Sequence, residues 1–105
     1  MADKYTLHIY PKAIQDIDGI LDYIANQLHN PTAAIKLIDD FESALETVCT
    51  MPLCCPLANN EYVKEKNLRK LIVNNYIVFY RAKAETEQIE VLRVLYGMMN
   101  FKDIL

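Results

Sequence analysis

After a short alternating run at the start, the apolar residues of this 105-residue chain fall into two long stretches of different period. From Ile14 to Val48 they recur at steps of three and four. From Leu68 onward they fall in short runs rich in Ile, Val, Leu and Tyr. The first spacing makes a helical stripe and the second a sheet, so helices and most strands are segregated along the chain. That pattern confines the chain to the α+β class.

Tyr5 to Tyr10 alternates and is rich in β-formers, which predicts a first strand. Pro11 suits the first turn of a helix. Ile14, Ile17, Leu21, Ile24 and Leu28 then form one stripe, with Lys12, Asp16, Asp18, Asp22 and Asn26 on other faces, predicting a helix over 12–29. Asn30-Pro31 reads as a cap followed by a first-turn proline. The second stripe is Ala34, Leu37, Ile38, Phe41, Leu45 and Val48. Two stripes joined so closely predict an αα-hairpin packed on a sheet. Pro52 and Pro56 end it, and 51–67 reads as a long loop.

Three strand-like runs come next: Leu68-Arg-Lys-Leu-Ile-Val73, Asn75-Tyr-Ile-Val-Phe-Tyr-Arg-Ala82 and Ile89-Glu-Val-Leu-Arg-Val-Leu-Tyr96. Asn74-Asn75 suits a two-residue turn, because Asn tolerates positive φ. Lys83 to Glu87 is a second polar turn. The last run is apolar on both parities, which predicts a central strand covered in part on both sides. Phe101 to Leu105 reads as a short terminal turn or helix. The expected order is β-α-α-β-β-β, within one domain over 1–105.

The chain is 52% hydrophobic and 24% charged, enough to bury a core. Met-Ala-Asp-Lys-Tyr lacks the features of a signal peptide, and no apolar run reaches the ~18–20 residues of a membrane span. Cys49, Cys54 and Cys55 make a poor disulfide framework, so a reducing cytoplasm is expected. The net charge is −3, made of −5 over residues 1–60 and +2 over 61–105. An acidic whole argues against a protein that coats nucleic acid by bulk charge. All the arginines, Arg69, Arg81 and Arg93, lie in the strand-like runs. Either they tie the sheet together through Glu87, Glu90 or helix acids such as Asp22, or they face an anionic partner. No zinc-type spacing and no Gly-rich phosphate loop occurs, and neither a metal nor a cofactor is expected. Cys54-Cys55 reads as redox-sensitive or, more simply, incidental.

The element order, with Asn75-Tyr-Ile-Val-Phe-Tyr-Arg81 and Val91-Leu-Arg-Val-Leu-Tyr-Gly97, resembles the RelE/ParE superfamily. These are toxins of bacterial type II toxin–antitoxin modules, long labelled plasmid-stabilisation proteins. The resemblance implies a twisted antiparallel sheet with a helical hairpin packed on one face. It implies growth arrest held off by a cognate antitoxin. The target would be DNA gyrase for a ParE-like protein, or ribosome-bound mRNA for a RelE-like endonuclease. Nucleases of the superfamily carry basic residues on the second strand, matched here by Lys70 and Arg69. They also carry an arginine after the tyrosine opening the third strand, where Ile77 follows Tyr76. Many relatives read Gly-Arg-Arg-Asp after the last strand, where this chain reads Gly97-Met98-Met99-Asn100. Tyr96 stands where many have His or Tyr.

RNA cleavage through a 2′-hydroxyl needs a base, an acid and cations at the phosphate. Lys70, Arg81 and Tyr96 are the catalytic candidates if the chain is a nuclease, with Arg93 beside them. Alternation sets Arg69 and Lys70 on opposite faces, and Arg93 and Tyr96 likewise. A nuclease site therefore does not assemble from regular strands. The reading is a ParE-like toxin that acts by binding gyrase, with Arg69, Arg93, Met98 and Met99 as binding residues. The alternatives are the endonuclease and a non-toxic interaction module of the same fold. The antitoxin is expected as a partner, no membrane is, and a homodimer stays open.

Overall fold

The computed structural model describes residues 4–58 and 67–97. Met98, Met99 and the expected terminal turn lie outside them. Strand β1 covers Thr6–Ile9, helix α1 Pro11–Asp22, helix α2 Pro31–Thr50, and strands β2, β3 and β4 cover Arg69–Val73, Tyr76–Lys83 and Gln88–Tyr96. The α+β class and the order are as expected. The sheet runs β1-β4-β3-β2. Its three later strands are antiparallel, while β1 pairs in parallel with β4, Thr6 opposite Gln88 and Ile9 opposite Val91. The sheet is thus mixed, where the resemblance implied an antiparallel one. A strand that leads through the helical hairpin before the sheet resumes can enter beside β4 in either direction, and periodicity carries no sign of which.

The first helix is shorter than the 12–29 its stripe predicts. It stops as an α-helix at Asp22, and Tyr23–Gln27 winds as a π-turn, closed by Leu28 N donating to Tyr23 O at 3.0 Å. The wider turn rotates the residues after it about the helix axis, so Leu28 is exposed. Ile14 is exposed too. The inward side is Ala13, fully buried, with Ile17, Ile20, Leu21 and Ile24 packed against the same core. His29 ends this segment at φ 51°, a left-handed conformation. The Asn30 side chain then caps α2 by accepting from Ala33 N at 3.1 Å. Ala34, Leu37, Phe41, Leu45, Val48 and Cys49 form the buried side of α2, whereas Ile38 sits at the rim.

Helix α1 lies along β4, and α2 crosses under β1, β4 and β2. Between them and the sheet lies the main core, which includes Val48, Val78, Tyr80, Ile89, Val91 and Val94. Fully burying one such side chain stabilises by about 1.5–3 kcal/mol. A second, smaller cluster on the opposite face holds Ala58, Leu68, Phe79 and Leu95, flanked by Ile77 and Leu92. Strand β4 is therefore central and apolar on both faces, as its sequence predicts.

Asn74 takes φ 55° in the turn joining β2 to β3. Its amide donates to Asp40 Oδ2 at 3.1 Å, tying that turn to α2. Gly97 N donates to Asn75 O at 2.8 Å. A Cβ on Gly97 would meet that same oxygen at 3.2 Å, so the close approach favours glycine. Part of the expected 51–67 loop joins the sheet: Ala58 N donates to Leu68 O, and Lys70 N to Pro56 O. This covers the start of the outer edge of β2.

Strand β4 is irregular at one point. Phe79 pairs with Arg93, but Tyr80 pairs with Val91, leaving Leu92 as an extra residue. Such a bulge bends and twists the strand and re-aims side chains.

Candidate functional site

The bulge undoes the parity expected for Arg93 and Tyr96. Both line one groove, with Gln15, Asp16, Tyr23 and Tyr76, enclosing about 770 Å³ between α1 and the ends of β3 and β4. Regular alternation would place them on opposite faces; the extra residue turns Arg93 toward α1. There its Nε and Nη2 donate to the two carboxylate oxygens of Asp16 at 2.8 and 3.0 Å. Val94 N donates to Asp16 Oδ2 at 3.0 Å. Asp16, not Asp22, is thus the carboxylate that holds Arg93. The carboxylate of Asp22 instead accepts from Asn26 Nδ2 at 2.6 Å, one turn along its own helix. The far wall of the groove is aromatic: Tyr76 and Tyr96 meet edge to face at 5.8 Å. Burial pushes the Tyr76 phenol up, away from service as a base at neutral pH.

Arg81 is held on the other face of the sheet. Its Nε donates to Glu90 Oε1 at 2.6 Å, and its Nη2 donates to the Tyr10 hydroxyl at 3.1 Å. Lys83 Nζ lies 3.7 Å from Glu90 Oε2. Glu90 is 6% exposed. The expected cross-strand pair with Glu90 is present, while Glu87 instead forms the turn before β4 at φ 52°. Arg69, on the helix-side face, donates from Nη1 to the backbone oxygen of Cys55 at 2.7 Å.

Lys70 pairs across the sheet with Phe79, two positions from Arg81, so these two candidates share the face away from the helices. Tyr96 pairs with Tyr76 on the helix side. The sheet therefore brings Arg93 and Tyr96 together and separates Tyr96 from Lys70 and Arg81. Sequence reasoning missed Tyr10, Asp16 and Tyr23. Asp16 is one of several acids on a helix flank, and nothing in its spacing sets it apart.

A second groove, about 510 Å³, runs beside β1 between the two helices. Tyr5, Leu7, Ile9, Ile17, Ile38 and Phe41 give it an apolar lining, and Lys4, Glu42 and Glu46 also line it. Strand β1 is the sheet's outer strand here, and among the described residues no strand bonds its far edge. Among those residues, too, no helix is long and apolar enough to cross a membrane, and no group of three or more His, Cys, Asp or Glu gathers to hold a metal ion.

A short open sheet with a helical hairpin on one face is the α+β arrangement that the resemblance to the RelE/ParE superfamily implied. The family model described as "ParE toxin of type II toxin-antitoxin system, parDE" matches residues 7–101, and the chain belongs to that family. Among solved structures it is similar to a chain of the chromosomal ParDE toxin–antitoxin system from P. aeruginosa. The TM-score is 0.70 and the identity 20%, over 89% of this chain and 96% of that one. It is similar also to a chain of the RelBE2 toxin–antitoxin complex from Mycobacterium tuberculosis. There the TM-score is 0.63 and the identity 18%, over 90% of this chain and 99% of that one. No curated protein matches.

Proposed function

We propose that this chain is a single-domain toxin of the bacterial cytoplasm, that it arrests growth when its antitoxin is absent, and that it does so by binding DNA gyrase. The observation that supports binding over RNA cleavage is the dispersal of the nuclease candidates. Arg81 is engaged by Glu90 and Tyr10, Lys70 stands on the same face, and Tyr96 packs on Tyr76 on the opposite one. A reaction at one phosphate needs its base, acid and cations within hydrogen-bond reach of the same few atoms. Arg93 meets a carboxylate at two points, so its charge is largely offset before any anion arrives.

The partner that silences the toxin is a cognate antitoxin, and its seat is the apolar groove beside β1. There an extended segment finds the outer edge of β1, which no strand pairs among the described residues past Tyr5, whose N–H donates to Cys49 O at 2.9 Å, and apolar side chains find Leu7, Ile38 and Phe41. The corresponding edge of β2 is already met by Pro56 and Ala58.

Adding the purified chain to a gyrase supercoiling reaction tests the target. Inhibition at micromolar protein, relieved by the antitoxin, is expected. No inhibition, together with codon-phased mRNA ends after induction in cells, would instead establish the RelE-like endonuclease and place Lys70, Arg81 and Tyr96 first for mutation.

A further inference from the structure

The loop leaving α2 reads Pro52-Leu-Cys-Cys-Pro56 and carries two adjacent thiols. Cys54 is exposed and Cys55 half-buried, both are free, and their sulfurs lie 3.6 Å apart. The loop is pinned on both sides of the pair. Pro52 O accepts from the Tyr80 hydroxyl at 3.0 Å, and Cys55 O accepts from Arg69 Nη1 at 2.7 Å. Lys70 N donates to Pro56 O at 3.0 Å. The dithiol is therefore presented in one arrangement rather than sampled by a slack loop.

The separation discriminates between chemistries. A disulfide bond is about 2.05 Å long, so the sulfurs would have to close by about 1.5 Å within a strained eight-membered ring. A single bridging atom with bonds to sulfur of about 2.3 Å, as in metal–thiolate sites, spans the observed gap at an angle of about 100°. Neither sulfur need move for that. An angle near 100° suits a pyramidal, three-coordinate centre that takes two sulfurs and one further substituent. A four-coordinate metal would need two more ligands, and among the described residues no such group gathers.

We propose that Cys54 and Cys55 form a chelating site for trivalent organoarsenicals of the form R–As=O. Two S–H bonds break and two As–S bonds form. The arsenic-bound oxygen leaves as water with both thiol protons, and no electrons are transferred. Burial first, then neighbouring Cys54, pushes the Cys55 thiol above its usual pKa, against the opposing influence of Tyr80 and of the Arg69 charge. A protonated thiol is a poor partner for disulfide exchange or for a divalent metal, both of which need thiolate. Condensation that releases water carries its protons away and is not opposed in the same way.

Phenylarsine oxide added to the purified full-length chain is the test. One adduct per chain is expected, with loss of two of the three cysteine thiols on titration. Cys54→Ser and Cys55→Ser should each weaken binding at least a hundredfold, while Cys49→Ser should leave it unchanged. A 1,2-dithiol should strip the adduct where an equal concentration of a monothiol does not. Cys54 is exposed, so its variant will fold and reports directly on the site. An adduct kept at full affinity in Cys54→Ser, or abolished in Cys49→Ser, overturns the proposal.

Discussion

Glu90 shows how one side chain links charge to stability. Burial would by itself raise its carboxyl. The hydrogen bond and charge of Arg81, with Lys83 and Tyr10, outweigh that and hold it below the ordinary value of 4.5. The folded chain thus takes up this proton less readily than the unfolded chain. The stability Glu90 contributes is complete above the unfolded pKa and is lost as pH falls through the folded one. The urea midpoint is therefore expected to decline as pH is lowered below about 4.5, where an unfolded Glu begins to protonate. Glu90→Gln should be less stable at pH 7 and show a shallower decline; equal slopes would assign the acid sensitivity elsewhere. The register of β3 on β4 chose Arg81 among the three arginines; Glu90 as a carboxylate for one of them was legible in the sequence. Tyr10, which completes the network, was not. It comes from the other end of the chain, and only β1 lying beside β4 brings it there.

Among the elements, β4 carries the most information. Its apolar character on both parities correctly predicted a central strand. Its bulge left no sign, because Leu92 is as apolar as its neighbours and an extra residue does not break a two-sided apolar pattern. Yet the bulge decides which side chains share the groove. Asp16 and Arg93 have side chains only 13% and 18% exposed, and removing one partner of so buried a pair costs about 3 kcal/mol. Asp16→Ala should lower unfolding free energy by about that amount, and deletion of Leu92 should cost more, since it breaks the same pair and also takes a side chain from the second core cluster. Combined in one chain they should cost little more than the deletion alone. Denaturant unfolding of the three variants measures this, and strict additivity would show that the bulge does not serve the ion pair. Helix α1 teaches the same lesson. A stripe at steps of three and four predicted it well up to Asp22, but Leu28 continues the stripe in sequence and not in space, because the π-turn at Tyr23–Gln27 intervenes.

At the scale of the whole molecule, the groove beside β1 and the groove beside β4, both along the helical hairpin, differ in character. The one beside β1 is almost wholly apolar and adjoins a strand edge that no other strand pairs among the described residues; the one beside β4 contains the Asp16–Arg93 pair and three tyrosines. Tyr23 is 53% exposed, so a glutamate there should change stability by no more than about 0.5 kcal/mol, whereas at Leu7, 38% exposed on the apolar groove, it should cost about 1 kcal/mol. If the antitoxin seats beside β1, Leu7→Glu should weaken its binding at least tenfold and Tyr23→Glu should not. Calorimetric titration of both variants decides it, and the reverse ranking would move the antitoxin to the groove beside β4.

The sequence by itself determined the α+β class, the element order, the cap at Asn30, the turn at Asn74 and membership of a toxin superfamily. All but the last are local or periodic, and residue type at fixed spacing is enough to specify them; the last came as a resemblance, which the family model bears out. Tertiary structure alone decided the parallel seat of β1, the bulge at Leu92, the choice of Asp16 over Asp22 and the company each arginine keeps. Those depend on which distant segments meet and in what register. That is settled by the packing of the whole core, to which no single run of residues holds the key.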